Sequence, residues 1–80
     1  MIILGIDPGT ATVGYAVIQT KTPKHLPQKR DEKPKILDFG CITTPAAYSA
    51  GERLKIIHFE LTKLIIKYKP DLLSVESLYF

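Results

Sequence analysis

The run Ile2-Ile3-Leu4-Gly5-Ile6-Asp7, followed at once by Pro8-Gly9, constrains this chain more than any other feature. An apolar run with almost no alternation suits a strand covered on both faces, since alternation is needed only where one face meets water. Pro8 biases Asp7 toward extended backbone, and Pro8-Gly9 suits the two central positions of a type II turn. The reading is a central strand that ends on a carboxylate. Val13 to Gln19 is rich in strand formers and lies one tight connection away, so it pairs antiparallel with the first run. Lys35 to Thr44 then reads as a third strand returning beside the second, which completes a three-strand meander.

Ser49 and Glu52 have the spacing of a capping box: the serine hydroxyl accepts from an orphan amide and the glutamate reaches back to the cap. The helix that starts there carries Leu54, Ile57, Leu61, Leu64, Ile65 and Tyr68 as a stripe expected to lie on the sheet, and Pro70 stops it. Ile56, Phe59 and Ile66 fall toward the opposite side of the wheel. A surface helix on a finished domain rarely has two apolar stripes, so the second predicts a surface awaiting more chain or another subunit. Leu72 to Glu76 reads as a short buried strand, again ending on an acid. Reached through a helix, it implies a right-handed crossover and a parallel place beside the first strand.

Eighty residues make one small domain. A chain this short buries only roughly 60% of the surface its unfolded form exposes, so stability is marginal without a partner, a ligand or more chain. No apolar run approaches the ~20 residues a transmembrane helix needs. The start has no basic, cleavable leader, and the single cysteine, Cys41, has no internal disulfide partner, which together predict a reducing, cytoplasmic setting. The net charge of +3 is unevenly spread, with six Lys or Arg against two acids from Lys21 to Lys35. Pro23, Pro27 and Pro34 interrupt that span, so residues 20–35 read as a basic exposed loop, either a solvated connection or a contact for an anionic partner.

If the first and last strands are parallel neighbours, Asp7 and Glu76 emerge at the same edge of the sheet. Adjacent strands lie about 4.8 Å apart, which brings both acids within reach of one divalent ion. Left alone, the two carboxylates repel, whereas a hard cation such as Mg²⁺ or Mn²⁺ favours both in ionised form. Alternation puts Gly5 on the face of Asp7 and Ser74 on the face of Glu76, giving the acids a small, open floor. Taken singly, Asp7 reads as a turn-capping residue and Glu76 as a strand-end acid in water. His25, in the basic loop, and His58, mid-helix, have no second ligand at metal spacing, and Cys41 reads as a small buried hydrophobe.

The opening Ile2-Ile3-Leu4-Gly5-Ile6-Asp7-Pro8-Gly9-Thr10, with Gly14-Tyr15-Ala16-Val17-Ile18, resembles the first motif of the RuvC-type Holliday junction resolvases. Phe39-Gly40-Cys41-Ile42-Thr43 resembles their third strand, Arg53-Leu54-Lys55 their first helix, and Pro70-Asp71 through Val75-Glu76 their second acidic motif. The resemblance implies an α/β, ribonuclease H-like mixed sheet: an antiparallel meander, a crossover helix and a parallel fourth strand. Residues 1–80 then form the N-terminal part of a single nuclease domain, truncated before the fold is complete.

The resemblance further implies a homodimer that cuts four-way DNA junctions in recombination and repair, alongside branch-migration helicase machinery. It uses four carboxylates with Mg²⁺ or Mn²⁺ in the two-metal manner. Asp7 and Glu76 match the first two, as catalytic residues and metal ligands; the others belong to a later helix, so the site here is half built. Thr10 and Gly14 shape the approach to the scissile phosphate, and Tyr79 matches an aromatic that stacks on a base. Two other readings share the Asp-Gly-Thr hairpin: a YqgF-like RNA-processing nuclease, and the phosphate-binding hairpin of an actin-like ATPase or sugar kinase. A third is that the 80 residues act only as a folding or dimerisation unit.

Overall fold

The computed structural model describes residues 1–9, 11–21 and 33–76. Its elements are β1 (Ile2–Pro8), β2 (Thr12–Gln19), β3 (Lys35–Thr43), α1 (Ala50–Tyr68) and β4 (Leu72–Val75), with sheet order β3-β2-β1-β4. β1 pairs antiparallel with β2 and parallel with β4, and β2 pairs antiparallel with β3. This is the expected meander with a parallel fourth strand beside the first. Most of the span 20–35 lies outside the described residues, so the expected basic loop is not described here.

The meander places Leu4, Val17, Val13 and Ile42 on one face, and these four are the buried apolar core. Alternation brings them together: Leu4 faces Val17, and Val13 faces Ile42, across adjacent strands. Helix α1 lies over this face. Glu60 and Leu64 meet Tyr15 and Ile42 around one cavity, while Arg53 and Ile57 meet Val13 and Thr44 around another. The Tyr68 hydroxyl donates to Asp38 Oδ2 (2.9 Å) and ties the end of the helix to β3.

The hairpin differs from a type II turn at Pro8-Gly9. β1 runs one residue further than expected, with Pro8 opposite Val13, and Gly9 has no positive φ. The Gly9 amide donates instead to the Thr12 carbonyl (2.9 Å), so the reversal lies between Gly9 and Thr12. Glycine is needed for space rather than for torsional freedom, because a Cβ at Gly9 would sit 2.5 Å from the Thr12 oxygen. Between Val17 and Ile18 the β2–β3 register shifts, leaving Leu37 as the extra residue of a bulge.

Ser49 caps α1 as expected, its Oγ accepting from the Glu52 amide (3.2 Å). The Glu52 carboxylate reaches back to the Ser49 hydroxyl (3.1 Å), where a reciprocal box would use the Ser49 amide. The helix closes on Lys69, which takes a left-handed conformation (φ 47°) just before Pro70 and donates its amide to the Ile65 carbonyl.

The stripe on α1 is rotated from the expected one. Ile57, Leu61, Leu64 and Tyr68 are half-buried, but Leu54 (66% exposed) and Ile65 (45%) are not covered. The half-buried face instead takes in Arg53, Ile56 and Glu60. From the second stripe Ile56 is half-buried, whereas Phe59 and Ile66 are exposed.

Two burial expectations fail. β4 forms where expected but every residue in it is exposed, and β1 is fully buried only at Leu4. β4 has one strand neighbour, and among the described residues no element covers the sheet face opposite α1.

Candidate functional site

The face of the sheet opposite α1 carries the acids. Strand alternation puts Ile3, Gly5 and Asp7 of β1 on it, and register extends these rows sideways. Gly14 and Cys41 continue the row of Asp7, while Ala16, Phe39 and Ser74 continue the row of Gly5. On the other side of Asp7 comes Glu76: Ile6 is in register with Val75, and the Glu76 amide donates to the Ile6 carbonyl (3.0 Å).

These rows line an open cavity of about 510 Å³ whose lining includes Asp7, Glu76, Gly5, Gly14, Ala16 and Ser74. The sequence expected Asp7, Glu76, Gly5 and Ser74 to share one floor, and they do. Both acids are exposed, and no hydrogen bond or ion pair to a described residue engages either carboxylate. Among the described residues nothing ties the Asp7 carboxylate to the turn, where the Gly9 amide donates to the Thr12 carbonyl. A Cβ added at Gly5 or Gly14 would find no protein atom nearer than 3.8 Å, so at both positions the fold has room for a side chain and the sequence leaves the floor bare.

Ala16, Phe39 and Cys41 are among the lining residues that were not singled out as site residues. Cys41 was read as buried, and it is exposed. Its place follows from the meander register, two strands over from Asp7, which the sequence contains once the bulge at Leu37 is allowed for. Phe39 is 75% exposed and forms the far wall of the same cavity. His58 lies exposed on α1, on the other side of the sheet. Thr10, Tyr79 and His25 lie outside the described residues.

The donor chemistry suits a hard cation as far as it goes. Two carboxylates at the ends of adjacent parallel strands offer oxygen ligands to an ion such as Mg²⁺ or Mn²⁺. Among the described residues there is no group of three or more His, Cys, Asp or Glu able to hold a metal, so the pair stands alone. No helix among the described residues is long and apolar enough to cross a membrane.

An antiparallel meander whose first strand takes a parallel neighbour through a helix, with acids at both parallel strand ends, defines a protein of the ribonuclease H-like class. The solved Thermus thermophilus RuvC structure superposes with a TM-score of 0.82 at 26% identity, over 99% of this chain and 46% of that one. A T. thermophilus RuvC in complex with Holliday junction substrate gives the same TM-score of 0.82 at 24% identity and supports the fold. The family model for crossover junction endodeoxyribonuclease RuvC matches residues 3–80. Crossover junction endodeoxyribonucleases RuvC from Halothermothrix orenii and Alkaliphilus oremlandii are each 44% identical over all 80 residues. The chain belongs to the crossover junction endodeoxyribonuclease RuvC family. It spans 43% of the length of these two relatives.

Proposed function

We propose that the chain is the N-terminal part of the single nuclease domain of a metal-dependent endodeoxyribonuclease that resolves four-way DNA junctions in recombination and repair. The observation that carries this reading is the pairing of Asp7 and Glu76 at one cavity, on adjacent parallel strands, in a chain of the RuvC family. Asp7 and Glu76 hold Mg²⁺ or Mn²⁺ through their carboxylate oxygens. When bound, such an ion offsets charge on a phosphodiester and makes water a better nucleophile. Two protein ligands leave most of a six-fold shell open, as a site shared with substrate oxygens requires.

The bare floor at Gly5 and Gly14 lets a sugar-phosphate backbone approach the acids without meeting a side chain. By the family resemblance Thr10 helps to shape that approach, and Tyr79, three residues past Glu76, stacks on a base of the opened junction. Lys and Arg side chains contacting phosphates make binding fall steeply with salt, while shape and deformability of the junction give selectivity. The complete protein works as a cytoplasmic homodimer alongside branch-migration helicase machinery, and it supplies the remaining carboxylates from outside these 80 residues.

The test is a Mn²⁺ titration of the wild-type chain against Asp7→Asn, with cleavage of a synthetic four-way junction measured in parallel. Saturable binding lost in the variant, without cleavage, supports a metal site that needs further acids. Cleavage by the 80 residues alone means a second subunit completes the site. Binding unaffected by Asp7→Asn removes Asp7 from the site.

A further inference from the structure

We infer that Asp71 is a positioning residue for Glu76: it pins the parallel register of β4 on β1 and so sets where the second acid stands. This rests on the reading of Asp7 and Glu76 as a metal pair. The Asp71 carboxylate Oδ2 accepts from the Ile2 amide (2.8 Å), and the Asp71 amide donates to the Ile2 carbonyl (2.7 Å). One residue thus grips both backbone groups at the start of β1. Five residues on, the Glu76 amide bonds the Ile6 carbonyl at the site end of the same ladder.

Little else in β4 specifies that register. The strand is four residues long, and Leu72-Leu73-Ser74-Val75 has almost no alternation, so a slipped pairing buries nearly the same apolar area. Leu72, Leu73 and Val75 are each about half exposed, which weakens side-chain packing as a guide. A two-residue slip keeps every side chain on its own face and carries Glu76 roughly 7 Å along the strand, out of step with Asp7. Such a slip has to break both bonds at Ile2.

Asp71 does not act on the ion by charge. It lies five positions from Glu76 along an extended strand, roughly 16 Å, beyond the Debye length at physiological salt. Any influence on metal affinity has to pass through the position of β4.

Three variants of the 80-residue chain test this, each read by Mn²⁺ affinity, exchange protection of the Glu76 amide and urea stability. Asp71→Ala is expected to lower Mn²⁺ affinity roughly tenfold, the upper size of one lost hydrogen bond between uncharged partners, and to deprotect the Glu76 amide. Asp71→Asn keeps an acceptor oxygen at the same reach without charge and is expected to stay within about twofold of wild type. Asp71→Glu keeps the charge but displaces the acceptor by a methylene, and is expected to resemble Asp71→Ala; this Asn–Glu pair decides the matter if the alanine variant does not fold. A near-normal Asp71→Glu with a weakened Asp71→Asn would show that charge matters, and would overturn the pin. Lower urea stability with unchanged Glu76 protection and Mn²⁺ affinity would also overturn it. If wild-type chain shows no Mn²⁺ binding that Asp7→Asn abolishes, the metal reading fails, while Glu76 protection in the same variants still decides the register pin.

Discussion

Asp7 and Glu76 face the same cavity from strands held in different ways. Asp7 lies next to the end of a strand with a partner on each side and a buried Leu4 behind it, whereas Glu76 follows a four-residue edge strand with no buried side chain. Leu4 and Leu73 make the contrast concrete, since they are register partners on the same face, 1% and 52% exposed. One acid is placed by packing, the other by backbone bonds and the grip at Ile2. A site built this way has one rigid wall and one that depends on polar contacts, and the weaker wall is where position is most easily lost.

The largest expected effect tests that contrast directly. Leu4→Ala removes packing in the core and is expected to cost about 3 kcal/mol in urea unfolding, while Leu73→Ala costs about 1 kcal/mol. Equal costs would mean that β4 is as firmly packed as β1, and the contrast would break. Next comes the hairpin that carries Asp7. Gly9→Ala drives a Cβ to 2.5 Å from the Thr12 oxygen and is expected to cost about 2 kcal/mol. Gly14→Ala, in the row of Asp7 and with 3.8 Å of clearance, is expected to change stability by no more than about 0.5 kcal/mol. If Gly14→Ala proved the costlier of the two, the bare floor would serve the fold and not the approach to the acids. Smaller than the Gly9→Ala cost, Tyr68→Phe removes the bond to Asp38 and is expected to cost about 1 kcal/mol by the same measurement.

The sequence made the strand order legible because each strand carries its own signal. Asp-Pro-Gly ends one strand, the prolines of 20–35 separate two others, and Pro70 forces the chain out of α1 and back toward the sheet. The acids could be paired once parallel adjacency was accepted, since adjacency needs only topology. Burial was less legible, because it depends on what lies over each face. Cys41, Leu54, Ile65 and all of β4 were expected to be covered, and each is exposed. The turn at Gly9 was misread because Pro-Gly satisfies two different demands, a positive φ and an absent Cβ, and only the second applies. The register of β4 could not be read from Leu-Leu-Ser-Val at all; it became visible in the bonds at Ile2.

The smallest expected effect concerns the packed side of the contrast, where β2 and β3 meet α1. Tyr15 lies over Gly40, at which a Cβ would come 2.9 Å from the phenol oxygen, and it shares a cavity with Asp38 and Glu60. Burial, and then the negative charge of Asp38, raise the Tyr15 phenol above the ordinary tyrosine value. Below about pH 10 the phenol is protonated in folded and unfolded chains alike, so this stabilisation is fully present. Above it the unfolded chain releases the proton first, the folded chain holds more protons, and stability falls as pH rises toward the folded value. Urea midpoints followed from about pH 9 to about pH 11 should therefore decline more steeply in wild type than in Tyr15→Phe. Equal slopes would place the phenol in water and loosen α1 over the meander, leaving the two halves of the site less different than their burial indicates.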